Sequence, residues 1–221
     1  MQRFAKAFQQ ASAKVACAAR RTVEDYKCRV LPEEPAFTVA FVTRIRDALN
    51  GFTKSGISWN AKILTSLGPN TEEAQYGADI LGVLKLFLNG YSVTKGFLAQ
   101  AKRQEPGSRL RTAEWDRLKQ QCEKMLRFTP ESYVFVYAFN GVFMIPALSV
   151  VGCTSAVDLH TLHPKNTRQF YKEHFQCFVG DRRLHQIDPS ALQDLRSRSG
   201  IEVTGKSEGN SGDELADSSD R

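Results

Sequence analysis

No apolar run in this 221-residue chain is long and clean enough to cross a membrane. The longest, Tyr133 to Gly152, is interrupted by Asn140, Gly141 and Pro146 and opens with alternating β-branched and aromatic residues. That pattern reads as two strands joined by a turn. The N-terminus is basic but lacks the apolar stretch of a signal peptide, so a soluble cytoplasmic protein with no membrane contact is expected. The cysteines number five, an odd count, lie at wide spacings and form no C-x-x-C pair. This argues against a disulfide framework and a zinc knuckle, and leaves most of them as small buried residues. G-x-S-x-G, Walker A and G-x-G-x-x-G patterns are missing, which counts against a serine hydrolase and the common nucleotide-binding folds. The four histidines do not combine with cysteines or carboxylates at zinc spacing. His160 and His163 read as structural or surface residues, and His174 as part of a helix with Phe170, Phe175 and Phe178. There is no internal repeat.

What is present is an ordinary globular composition, 42% hydrophobic and 24% charged, at a length suited to one domain with short additions. The net charge of +6 is unevenly spread: residues 197–221 hold three basic and six acidic residues, leaving 27 basic and 18 acidic in the remainder. A basic body suits a polyanionic partner, or serves solubility alone. The end of the chain is rich in Ser, Gly, Asp and Glu and poor in apolar residues, so 197–221 is expected to be a disordered acidic tail.

Residues 1–30 read as a basic helical segment, one helix or a pair. Phe4, Ala7, Phe8, Ala11, Val15 and Ala18 recur at helical spacing, with Arg3, Lys6, Lys14, Arg20 and Arg21 between them. Packing on the core is the expected role, and a nucleic-acid arm the alternative. Pro32 and Pro35 start a new helix over 36–51, and residues 52–77 read as irregular. A strand from Ala78 to Leu88, the turn pair Asn89-Gly90 and a strand from Ser92 to Arg103 make a hairpin. A helix follows over Thr112–Phe128, then strands at Tyr133–Ala138 and Gly141–Ala147, then helices near Asn166–Phe178 and Pro189–Arg196. The chain is therefore an α/β mixture on one small sheet.

The hairpin carries the chemistry. Asp79 opens the first strand, and antiparallel pairing brings it beside Gln100 and Lys102 near the end of the second. Residues i and i+2 share a face, so Gln100 and Lys102 both turn toward Asp79. A carboxylate and an amide oxygen can bind a hard divalent cation, and a neighbouring lysine can stabilise developing negative charge. The ordinary alternatives are a solvated strand end for Lys102 and Arg103 and a helix-dipole role for Glu33 and Glu34. Two basic groups flank this region: Arg109, Arg111, Arg117, Lys119 and Lys124 after the hairpin, and Arg168, Lys172, Arg182 and Arg183 further on. Either suits phosphate contacts or a solvated surface.

The segments Tyr76-Gly77-Ala78-Asp79-Ile80 and Phe97-Leu98-Ala99-Gln100-Ala101-Lys102-Arg103 resemble the core of the PD-(D/E)XK nuclease superfamily. They are closest in kind to its Q-x-K branch, found in Mrr-like restriction enzymes and phage-defence effectors. Glu33-Glu34-Pro35-Ala36-Phe37-Thr38 is similar to the family's first helix. The resemblance covers roughly residues 33 to 150. It implies a restriction-endonuclease-like core, a small mixed sheet flanked by helices, with extra helices at both ends. It implies a metal-dependent endonuclease that hydrolyses DNA with Mg²⁺ or Mn²⁺. Asp79 would be the central metal ligand, Gln100 would offer its amide oxygen, Lys102 would be the catalytic lysine, and Glu34 would add a ligand or position water. Glu72 and Glu73 are substitutes for the Glu34 role. Gln100 brings no negative charge, and alanine stands before Asp79 where the parent motif has proline; both are departures. The implied organisation is a helical segment 1–30, a nuclease-like domain 31–196 with a C-terminal helical part, and the tail 197–221. The implied setting is the effector subunit of a restriction or anti-phage system, controlled by a protein partner or by homo-oligomerisation. The alternative is a weak or inactive nuclease-fold subunit that binds nucleic acid or acts as a scaffold.

Overall fold

The structure is a computed structural model, and it describes residues 4–31, 33–64, 78–185 and 199–207. In chain order the elements are α1 (Ala5–Lys27), α2 (Glu34–Leu49), β1 (Phe52–Lys54), β2 (Ile57–Leu64), β3 (Ile80–Leu88) and β4 (Tyr91–Arg103). There follow α3 (Thr112–Phe128), β5 (Ser132–Ala138), β6 (Gly141–Pro146), α4 (Ala147–Val151), β7 (Lys165–Asn166), α5 (Thr167–Phe175) and β8 (Ser199–Ser207). The strands form one sheet in the order β1-β2-β8-β3-β4-β5-β6-β7. The pairs β3–β8 and β4–β5 are parallel, and the other neighbours are antiparallel.

The alternation of each central strand feeds two separate cores. Ile80, Leu84 and Leu86 of β3, Phe97, Ala99 and Ala101 of β4, and Tyr133, Phe135 and Tyr137 of β5 pack with α1, α2 and α5. Leu81, Val83, Leu98, Val134 and Val136 face the other way, onto α3 and α4. The result is a helix–sheet–helix sandwich. In α1 the buried face alternates small and large, with Ala7, Ala11, Ala18 and Ala19 around Phe8 and Val15. Those alanines bring the helix close to the sheet, so the basic segment at the start of the chain is one helix packed on the core.

The α/β expectation holds, but the sheet is not small. Residues 52–64, read as irregular, make β1 and β2, with Ile57, Trp59 and Ala61 inward and Ser58 and Asn60 outward or half-exposed. The larger correction concerns the expected disordered tail: residues 199–207 form β8, in the middle of the sheet. Its main chain pairs on both sides, with β2 and β3. Ile201 and Val203 point into the core, and Glu202 bridges Lys62 at 3.1 Å and Lys85 at 3.0 Å. Gly205 fits only because it has no side chain: a Cβ there would come within 2.8 Å of Leu86 and 3.1 Å of Trp59. The expected helix at Pro189–Arg196 and the last residues of the chain lie outside the described residues.

Two smaller expectations also change. Among the cysteines only Cys122 is buried, and Cys28 is exposed. Burial pushes the Cys122 thiol up to about 12. The helix at Thr167 ends at Phe175, and Phe178 beyond it is 77% exposed instead of packed. No helix among the described residues is long and apolar enough to cross a membrane.

Candidate functional site

Asp79 sits at the threshold of β3, and its backbone is held from both sides. Its N–H donates to the carbonyl of Ala99 on β4 at 2.9 Å, and its carbonyl accepts from the N–H of Ser199 on β8 at 3.0 Å. The side chain reaches across β4. Its Oδ2 accepts the main-chain N–H of Ala101 at 3.0 Å and the side-chain amide N–H of Gln100. The carboxylate is thus oriented by two donors from one strand, a strong arrangement for an ionised acceptor.

Gln100 follows from the register of the hairpin. It shares a face with Leu98, on the α3 side of the sheet, while Ala99 and Ala101 enter the opposite core. It is 4% exposed. Its amide nitrogen serves Asp79 and the carbonyl of Ala101, the latter at 3.3 Å. Its Oε1 is buried with no hydrogen-bond partner among the described residues. An unsatisfied buried acceptor of this kind costs about 1–3 kcal/mol, so a donor or a cation at Oε1 would be stabilising.

Lys102, two residues on, lies at the end of the same face. Its Nζ is 4.0 Å from Oε2 of Glu34, with side-chain exposures of 18% and 27%. The same Glu34 oxygen accepts the main-chain N–H of Arg103 at 2.8 Å. Glu34 belongs to the first turn of α2, on the other side of the sheet, so the site wraps the end of β4 from both faces. At the first turn of α3 the Arg111 side chain, with help from Lys102, holds the Glu114 carboxyl below its ordinary range.

Tyr137 is a member that the sequence does not flag. Its ring is buried in β5, and its hydroxyl hydrogen-bonds Thr38 Oγ1 at 3.0 Å. Thr38 in turn donates to the carbonyl of Glu34 at 3.0 Å. Burial raises the Tyr137 phenol, Thr38 works the other way, and the carboxylates of Asp79 and Glu34 raise it further. One buried hydroxyl therefore feels both acids. A tyrosine inside the apolar run Tyr-Val-Phe-Val-Tyr-Ala carries no sequence mark of such a position.

The candidate donors at this strand end are all oxygen: the Asp79 carboxylate and the buried amide oxygen of Gln100 on one face of the sheet, and the Glu34 carboxylate, which comes from α2 on the other. That set fits Mg²⁺ or Mn²⁺, which take few carboxylates and keep water. No cluster of three or more His, Cys, Asp or Glu suited to a metal occurs among the described residues. The fit therefore rests on two carboxylates and an amide. Glu72 and Glu73, the substitutes for Glu34, lie outside the described residues.

The other singled-out groups are drawn elsewhere. His160 bonds the carbonyl of Gln104 at 2.9 Å and sits edge-on to Phe143. Lys119 donates to the carbonyl of Cys153 at 2.9 Å, and Arg183 pairs with Asp181 at 2.7 Å. His174 is buried and bonds the carbonyl of Val179 through Nδ1 at 3.0 Å. The neighbouring Lys95, 2% exposed, donates to the same carbonyl. Burial and then Lys95 bring His174 down to about 3, and burial brings Lys95 down to about 8. No family model, no curated protein and no solved structure matches this chain.

Proposed function

We propose that this chain is a metal-dependent nuclease of the restriction-endonuclease-like kind, hydrolysing DNA phosphodiester bonds. The observation that carries the reading is the buried Oε1 of Gln100, with no hydrogen-bond partner among the described residues, on the amide that holds the carboxylate of Asp79. Lys102 and Glu34 stand at the same strand end. Asp79, Gln100 and Glu34 would hold the cation. When bound, a divalent cation there polarises a phosphodiester and makes water a better nucleophile. Lys102 then stabilises negative charge that develops on the phosphate oxygens, in a site narrowed by α2 and α3. The surplus of positive charge on residues 1–196 favours a polyanionic substrate. A setting as effector subunit of a restriction or anti-phage system, switched by a partner or by self-association, is part of the proposal.

A second reading has its own observation. Gln100 is neutral and spends its amide on the Asp79 carboxylate, and among the described residues no third acid joins the two carboxylates. That arrangement, read among the described residues, also suits a weak or inactive nuclease-fold subunit that binds nucleic acid. The test is incubation of the protein with supercoiled plasmid in Mg²⁺ or Mn²⁺, beside Lys102→Ala and an EDTA control. Cleavage lost in both controls supports the nuclease. An inert wild type, together with no metal-induced stabilisation that Asp79→Ala removes, sinks it in favour of the binding subunit.

A further inference from the structure

A cleft of about 540 Å³ opens between α1, the β5–β6 turn and the start of α5. Small-ligand sites run from about 300 to 1,000 Å³, so it is sized for nucleotides and not for a double helix. Arg20 and Lys27 of α1 and Arg168 of α5 line it, against one acid, Glu24, which Lys27 pairs at 3.2 Å. Arg20 and Arg168 are exposed, and neither is in an ion pair among the described residues. The lining therefore carries a net positive charge that no acid among the described residues neutralises.

The same cleft presents an aromatic face. Phe139, on the β5–β6 turn, is 48% exposed although it is a large apolar ring. Its inner side stacks on Tyr26 of α1 at 4.7 Å and 22°. Glu105 holds this pair in place, accepting the N–H of Phe139 at 2.9 Å and the hydroxyl of Tyr26 at 3.3 Å. The outer part of the ring is left to solvent in the cleft. From Tyr26 the aromatic contacts continue inward: Phe37 meets it edge-on at 5.7 Å, and Tyr137 stacks on Phe37 at 4.1 Å. Arg103, next to Lys102, lies over the Tyr26 ring at 5.9 Å. Phe37 and Tyr137 are fully buried, so these contacts anchor the Tyr26–Phe139 pair in the core.

We propose that this cleft binds an unpaired stretch of the nucleic-acid substrate, with a base stacked on Phe139 and phosphates on Arg20 and Arg168. The substrate class rests on the nuclease reading. A flat ring fixed at the mouth of a basic cleft is useful only to a base that has left its own stack. A duplex buries its base faces and offers edges and phosphates instead. The preferred substrate is therefore single-stranded, or a duplex with an unpaired segment next to the cut.

The experiment measures binding of a fluorescein-labelled oligothymidylate, and of a duplex of equal length, to the full chain in EDTA, where cutting plays no part. The strand is expected to bind more tightly than the duplex. Phe139→Ala is expected to weaken strand binding about tenfold, and Phe139→Trp, which keeps a stacking face, to retain it. Arg20→Ala with Arg168→Ala is expected to make the dependence of log affinity on log salt shallower by about 1.4. Equal or tighter binding of the duplex, or a Phe139→Ala protein that binds the strand like the wild type, overturns the cleft. Plasmid cleavage that needs Lys102 would then leave the nuclease standing. Conversely, a wild type that binds as expected but never cuts with metal upholds the cleft and removes the nuclease.

Discussion

The side-chain amide of Gln100 donates to the carboxylate of Asp79, across two strands joined by the Asn89-Gly90 turn. The acid is thereby held in one orientation, and the amide oxygen is buried with no hydrogen-bond partner among the described residues. Replacing this glutamine tests both halves of the arrangement. Gln100→Glu removes the donor and sets two carboxylates side by side. The metal-free protein is expected to lose about 1–3 kcal/mol. Mg²⁺ is expected to raise its thermal midpoint by more than it raises that of the wild type, because the second charge strengthens cation binding. Thermal unfolding with and without Mg²⁺ reads both effects. Identical metal responses in the two proteins would remove Gln100 from the cation site.

Lys102 separates chemistry from stability. Its pairing with Glu34 at 4.0 Å is long and partly exposed. Such a pair is worth about 0–1 kcal/mol, so Lys102→Ala is expected to leave the urea midpoint almost unchanged. Cleavage is expected to fall by about a hundredfold or more, as when a preorganised charge stabiliser is removed. Nicking rates and unfolding curves on the same samples decide it. A variant that is destabilised as much as it is slowed points to a structural lysine.

Acid is expected to weaken the fold through His174. Its pKa falls from 6.5 to about 3 on folding, by burial and by the nearby Lys95. Between pH 6.5 and 3 the unfolded chain binds a proton here that the folded chain refuses. Stability therefore drops as pH falls through that window, by about 1.4 kcal/mol per pH unit for this one group. Lys95 acts at the other end, with a folded value of about 8 against 10.5. The unfolded chain binds the extra proton between those values, so stability from this group rises as pH climbs from 8 to 10.5. Urea unfolding at stepped pH tests both slopes, and His174→Gln should flatten the acid one.

A third lever lies in the core. Gly82 on β3 sits under the ring of Phe97, and a Cβ there would come within 2.3 Å of two ring atoms. Phe97 is 1% exposed and is enclosed by Tyr133, Phe135 and Phe170, so it cannot move aside cheaply. Gly82→Ala is expected to cost about 1–3 kcal/mol of overpacking. Phe97→Leu in the same chain is expected to recover part of that loss, measurable as a coupling in a double-mutant cycle. Simple additivity would mean that the two positions do not press on each other.

The hairpin is legible in the sequence because three local signals agree: the apolar run from Ile80, the Asn-Gly turn, and the alternation that puts Gln100 and Lys102 on one face. Helix α3 is equally plain, since Trp115, Leu118, Cys122 and Met125 mark one buried stripe. Other parts are written in long-range contacts. In β2 the inward Ile57, Trp59 and Ala61 alternate with polar residues, but the breakers Gly56, Gly68 and Pro69 around it make the stretch read as irregular. In β8 the residues that matter most are Gly200 and Gly205, and their value is the absence of a side chain beside Leu64, Leu86 and Trp59. Composition makes such a segment look like a tail. Tyr137 is hidden for the opposite reason, as one apolar-looking residue among many, whose hydroxyl gains a role only when Thr38 arrives from α2.

The placement of β8 has a consequence for a chain that is still being made. Residues 199–207 lie between β2 and β3, and Ser199 holds the backbone of Asp79. While the ribosome is still adding the residues before Ser199, β2 and β3 have no strand between them, and the acid at the centre of the site has only one of its two neighbours. Folding this topology must wait for contacts that are distant in sequence, which is slow and leaves strand edges exposed. Synthesis therefore acts as a timer. A fragment that stops before Ser199 leaves the Asp79 carbonyl without its β8 donor and the β2 and β3 edges without the strand that joins them.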